Sequence, residues 1–203
     1  NWPGPFTVPV GMSDTVITLA VRYLQIFAEE YSRTVDSTTK TAEIVGEGEH
    51  LIASFGTEIC GPTLLVFGGI HGNETAGIRA VRRVAKKISA LEPRLSGRVY
   101  LFAGNTRALQ KGVRFIDTDL NRHWTDANIT RNDPGSHLPP QFSEDREQME
   151  LLAAILPILD SARGEVYALD LHSTSAEGVP FATVGDTMRN RRFATSLPVT
   201  ILL

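Results

Sequence analysis

Apolar and polar positions along this chain fall into blocks whose period changes from one to the next. Thr63-Leu64-Leu65-Val66-Phe67 is continuously apolar rather than alternating, the pattern of a strand covered on both faces. Beyond it Ile78, Val81, Val84, Ala85, Ile88 and Leu91 recur at steps of three and four, while Arg79, Arg82, Arg83, Lys86 and Lys87 fill the other side. This predicts a helix from about Glu74 to Leu91 whose basic cluster is a solvated face. A further buried strand, Arg98 to Ala103, follows Pro93 and Gly97. Strand, helix and strand at this spacing make a βαβ crossover, so the sheet is expected to be largely parallel.

The flanking segments complete a mixed α/β pattern. Thr15 to Tyr31 follows a helical period only loosely, and Thr41 to Val45 with His50 to Gly56, divided by Gly46-Glu47-Gly48, read as a hairpin at a sheet edge. After Asn105 come a short helical piece, a charged segment from Arg114 to Trp124, and a long polar connection from Thr125 to Gln141. A loop of that length is more often functional than idle. Ser143 starts a helix with Glu144 and Asp145 in its first turn, favourable for the helix dipole, and Pro157 is expected to kink it. Strands at Val166 to Leu171 and Phe181 to Val184, a helix from about Thr187 to Ser196 and a final buried strand at 199–203 follow. The expected architecture is a three-layer α/β/α sandwich around a mostly parallel mixed sheet. Residues 1–40 are set apart as an N-terminal arm of unknown role, and 41–203 as the catalytic domain.

Composition narrows the classes. With 203 residues and 42% hydrophobic content the chain can build a proper core. A net charge of −3, with Arg and Lys scattered, supplies no basic stripe for a phosphate backbone, so nucleic acid is not an expected partner. Cys60 is the only cysteine, which excludes an internal disulfide and makes the cytoplasm the default compartment. No apolar run approaches the roughly 20 residues that span a bilayer, so no membrane partner is expected. The chain begins on Asn1 and stops on what reads as a strand, so it is read as truncated at its C-terminus.

Candidate chemistry gathers at strand ends, where ligands collect in open α/β sheets. His71 and Glu74 stand three residues apart in a glycine-rich turn directly after the first buried strand, and His172 ends another. His, Glu and His can hold Zn²⁺ with one position left open for water. Taken singly, His71-x-x-Glu74 also reads as a helix start, and His172 as a structural histidine with Asp170 either orienting its ring or capping a turn. Arg114 to Arg122 adds two arginines and Asn121 without amphipathic period; alone it reads as a salt-bridged surface loop. Beside a metal, an arginine there can polarise a carbonyl, and Asn121 with Arg122 can grip a carboxylate.

In order, Gly69-Ile70-His71-Gly72-Asn73-Glu74, Asn105-Thr106-Arg107-Ala108-Leu109, Arg114 to Arg122 with Asp119-Leu120-Asn121-Arg122, and Asp170-Leu171-His172-Ser173-Thr174 resemble the succinylglutamate desuccinylase/aspartoacylase family, part of the zinc carboxypeptidase-like group. The resemblance covers about Thr63 to Leu203. It implies one Zn²⁺ per chain held by His71, Glu74 and His172, oxyanion stabilisation by Arg114, a substrate carboxylate held by Asn121 and Arg122, and a site shaped by Asn105 and Asp119. The implied reaction is hydrolysis of the amide bond of an N-acyl amino acid or related compound, a small-molecule substrate carrying a carboxylate. In the family the general base is a glutamate well downstream of the last zinc ligand, expected beyond residue 203; Glu177 is nearest to His172 but has no feature that recommends it. The chain is therefore expected to bind zinc and to hydrolyse poorly.

Two other readings stand beside this one: a zinc carboxypeptidase acting on peptides, and a carboxypeptidase-like binding domain without catalysis. The acyl group, the amine and the oligomeric state are not written in these residues. Other divalent ions suit the same ligands.

Overall fold

A computed structural model of the chain describes residues 49–57, 60–173, 178–185 and 187–202. The arm at 1–40, the helix expected over 15–31, the first arm of the hairpin and Glu177 lie outside them. The second hairpin arm is strand β1 (Leu51–Phe55), at a sheet edge as expected.

Four strands form the main sheet in the order β1-β3-β2-β4, with β2 at Thr63–Gly68, β3 at Arg98–Ala103 and β4 at Val166–Leu171. β2 pairs in parallel with both β3 and β4, and β1 closes on β3 antiparallel, so the sheet is mixed and mostly parallel. Helix α1 (Thr75–Leu91) makes the crossover from β2 to β3. Alternation along β2 then divides the core in two. Leu64 and Val66 pack with Ile78, Val81, Val84, Ala85 and Ile88 of α1 on one face. Leu65 packs with Leu151, Ile155 and Ile158 of helix α4 (Ser143–Ser161) on the other. Each such fully buried aliphatic side chain contributes about 1.5–3 kcal/mol. The result is three layers, α/β/α.

Arg79, Arg82, Arg83 and Lys86 are exposed, as the solvated-face reading requires. Leu91, expected on the apolar face, is instead 62% exposed in the last turn, just before the chain leaves the helix through a left-handed Glu92. The short piece after Asn105 is helix α2 (Thr106–Lys111). The connection expected to be structureless from Thr125 contains helix α3 (Asp126–Arg131), which Thr125 caps through Asn128 N–H. α4 runs on through Pro157 to Ser161. β4 was expected to be buried, but only Leu171 is; among the described strands it is the sheet edge opposite β1. Strands β5 (Phe181–Thr183) and β6 (Thr200–Leu202), joined by helix α5 (Met188–Thr195), form a separate parallel pair, and Leu202 of the expected buried strand is exposed.

Candidate metal centre

Because β2 and β4 are parallel neighbours in register from Thr63↔Val166 to Gly68↔Leu171, the chain leaves both at the same sheet end. His71 follows the first strand and His172 the second. Close backbone approach makes the convergence possible. A Cβ on Gly77, in the first turn of α1, would lie 2.4 Å from the Leu171 carbonyl oxygen, and one on Gly72 would lie 2.1 Å from the Ala108 carbonyl carbon. Any larger residue at Gly77 would push α1 away from β4 and separate what each carries.

Glu74 occupies the cap position of α1, yet its side chain makes no cap hydrogen bond. The carboxylate is turned instead towards the histidines. Oε1 lies 2.7 Å from His71 Nδ1, Oε2 lies 3.1 Å from His172 Nδ1, and the Ser173 N–H donates to Oε2 at 2.8 Å. The two imidazole centroids are 5.0 Å apart. Ligand atoms of His71, Glu74 and His172 all lie within 4.8 Å of one another.

Each histidine meets a second carboxylate at its other nitrogen: His71 Nε2 is 2.9 Å from Asp119 Oδ1, and His172 Nε2 is 2.6 Å from Asp170 Oδ2. A neutral imidazole offers one N–H and one lone pair. With the N–H assigned to Nε2, both Nδ1 lone pairs point at the Glu74 carboxylate, an arrangement satisfied by a cation between them. Arg114 lies 3.5 Å from both Glu74 Oε1 and Asp119 Oδ2. Three carboxylates against one guanidinium leave a double negative charge, which a divalent ion balances. The donor set therefore fits a dication.

Electrostatics agree with the geometry. Burial disfavours the charged form of Glu74, but hydrogen bonds from His172, His71 and the Ser173 N–H outweigh it and hold the carboxyl well below the ordinary range. Burial likewise opposes an imidazolium at His172, yet Asp170 and Glu74 together raise it to about 10. Without a metal the carboxylates hold a proton on His172.

The remaining expected residues sit around this cluster. Arg114 is partly exposed and its backbone carbonyl accepts the Gly72 N–H at 3.1 Å, tying its loop to the His71 turn. Asp119 caps the one-turn 3-10 helix Leu120–Arg122, on which Asn121 is buried and Arg122 exposed. Asn105 is fully buried, caps α2 through Ala108 N–H, and donates to Glu144 Oε1 at 2.9 Å.

Sequence reasoning missed the polar face of α4. Glu144 and Asp145, read only as first-turn acids favourable for the helix dipole, are buried, and so are Glu147 and Gln148. Glu144 accepts the N–H groups of Ile116, Asp117 and Thr118, at 2.8, 3.0 and 3.0 Å. Asp145 binds His123 and Asn132, and Glu147 binds Thr106 and Arg107. A signal was present: carrying the stripe of Leu151, Ile155 and Ile158 backwards by three and four residues lands on Gln148, Glu147 and Glu144. His50, Glu147 and Glu150 also cluster tightly enough for an ion, but Arg107 already pairs with Glu147 at 2.6 Å and with Glu150 at 2.8 Å.

The family model for the succinylglutamate desuccinylase/aspartoacylase catalytic domain matches residues 60–185. The succinylglutamate desuccinylase of Pseudomonas paraeruginosa is 37% identical over 78 residues, 38% of this chain and 24% of that protein. A probable aspartoacylase of Acaryochloris marina is 31% identical over 136 residues, 66% of this chain and 42% of that one. The crystal structure of the Chromobacterium violaceum succinylglutamate desuccinylase aligns with 25% identity and a TM-score of 0.49, covering 74% of this chain and 46% of that one. The chain thus spans about a quarter of the length of the Pseudomonas desuccinylase and under half of the aspartoacylase and of the Chromobacterium desuccinylase.

Proposed function

Since this chain belongs to the succinylglutamate desuccinylase/aspartoacylase catalytic-domain family, we propose that it carries the zinc centre of a hydrolase that cleaves the amide bond of an N-acyl amino acid or a related carboxylate-bearing compound. The observation that carries the reading is the Glu74 carboxylate facing Nδ1 of both His71 and His172, with Asp119 and Asp170 behind the two rings.

His71, Glu74 and His172 would hold the ion, which when bound supplies Lewis acidity and makes water acidic near neutral pH. Asp119 and Asp170 fix the tautomer and aim of the imidazoles and raise their basicity. Arg114, at the partly exposed rim, places a guanidinium where an oxyanion develops on the scissile carbonyl. Asn121 and Arg122, two and three positions after Asp119, take the substrate carboxylate, Arg122 from the exposed side of its turn. Glu74, Asp119 and Asp170 are each committed to an imidazole. The proton acceptor for water is, as the family resemblance implies, a glutamate well downstream of His172.

Metal analysis with an assay on N-acyl amino acids and short peptides tests this. One zinc per chain is expected, lost in His71→Ala and in His172→Ala and retained in His50→Ala, with hydrolysis favouring the acyl amino acids. Zinc retained in both His71→Ala and His172→Ala would remove the assignment, and preferred cleavage of peptides would favour the carboxypeptidase alternative.

A further inference from the structure

Glu144 is wholly buried in the first turn of α4, and nothing about the proposed chemistry calls for it. Its carboxylate makes four hydrogen bonds. Oε1 accepts from Ile116 N–H at 2.8 Å and Asn105 Nδ2 at 2.9 Å, and Oε2 from Asp117 and Thr118 N–H, each at 3.0 Å. All four donors are neutral amides, in contrast to neighbouring Glu147, which also pairs with a guanidinium. Burying a charge against amides alone is costly unless those donors are held in a fixed cradle. Burial opposes the charge here as well, but the amides outweigh it and keep the group below the usual carboxylate range.

The cradle stands between two residues of the metal centre. Arg114 lies just before Ile116 and reaches Glu74, and Asp119 directly follows Thr118 and reaches His71. Three consecutive N–H groups captured by one rigid helix start leave the chain on either side little freedom. The fourth donor, Asn105, ties the same carboxylate to the end of β3, the strand beside β2. The loop is thereby referenced to the sheet that delivers His71.

We propose that Glu144 is a positioning residue: it fixes backbone 116–118 so that Asp119 meets His71 Nε2 and Arg114 meets Glu74. This deepens, and rests on, the metal-centre reading of the same cluster. Glu144 touches neither the ion nor the substrate and acts through Asp119 and Arg114.

The test uses the whole chain as wild type, Glu144→Gln, Asp119→Asn and the double variant. Zinc affinity is read by competition with a chromogenic chelator, and amide hydrogen exchange is read in the metal-free proteins. Glu144→Gln should speed exchange at residues 116–118 by about 10-fold or more while residues 64–67 of β2 keep their protection. It should weaken zinc binding roughly 10- to 100-fold, as should Asp119→Asn. The double variant should lose less than the sum of the two single losses, because the Asp119 connection is already broken in Asp119→Asn and only the one through Arg114 remains. Additive losses, or wild-type affinity in Glu144→Gln, overturn the proposal.

Should Glu144→Gln fail to fold, Glu144→Asp keeps the charge but withdraws the carboxylate, and an affinity below wild type is expected; unchanged affinity there also overturns the proposal. If the wild-type chain takes up no zinc, the metal reading fails by itself. Exchange at residues 116–118 then decides the positioning role, which is overturned if Glu144→Gln leaves that exchange unchanged.

Discussion

His71 and Asp119 are 48 positions apart, and Nε2 of the one stands 2.9 Å from Oδ1 of the other. His172 and Asp170 repeat the relationship at 2.6 Å, only two positions apart. Two routes through the chain thus reach one device, a carboxylate behind an imidazole.

Replacing the nearer carboxylate, Asp170→Asn, should weaken zinc binding by roughly 10- to 100-fold, because the amide no longer raises the basicity of His172. Chelator competition reads this directly. Unchanged affinity would mean that packing alone holds the ring.

Gly77→Ala is expected to disturb fold and site together. The new methyl group would stand 2.4 Å from the Leu171 carbonyl oxygen, which belongs to backbone and cannot swing aside. Overpacking of this kind costs about 1–3 kcal/mol. A lowered denaturant midpoint together with weaker zinc binding is the expected result, since Glu74 and His172 ride on the two displaced elements. A midpoint equal to wild type would show that α1 can retreat without strain.

Acid should destabilise the protein partly through Asp145. Burial disfavours its charge, but bonds from Asn132, His123 and the N–H groups of Phe142 and Gln141 outweigh it and hold the carboxyl at about 2, below its ordinary 3.8. Because the folded value is depressed, the native state binds fewer protons than the unfolded chain. The stabilisation is complete above the unfolded value and is lost as pH falls towards the folded one. Melting temperatures taken from about pH 5 to about pH 2 should drop in wild type along a limb that Asp145→Asn flattens. Parallel curves for the two proteins would remove Asp145 as the source.

Much of this architecture could be read before any coordinates, because its signals were local. β2 is legible as a doubly covered strand from five consecutive apolar or β-branched residues, and α1 from its three- and four-residue steps. That His71 and His172 belong together followed from parallel strands sharing a direction. What stayed hidden was long-range polar chemistry. Glu144 carries the composition of an ordinary helix start; the apolar stripe of α4 carried backwards puts it on the inward face, but that stripe does not name its partners, the N–H groups 26 to 28 residues upstream. Asp119 was legible as part of a motif, but its bond to His71 depends on the backbone turning at Thr118, held by Glu144. Leu91 shows the converse: it kept the helical period and lost its burial, in the last turn of α1 where the chain leaves through Glu92.

The register of β2 against β4, Gly68 opposite Leu171, has a consequence for how this protein can vary. Glu74 and His172 are separated by 98 positions, yet their distance apart is set by a single pair of adjacent strands. The chain between can lengthen or shorten at exposed turns such as Asp133 to Gly135 without moving either one. Shifting β4 by one residue would instead turn every side chain on it over, carrying His172 to the far side of the sheet. Insertions are thus tolerated by the number of residues they add and forbidden by the strand they enter.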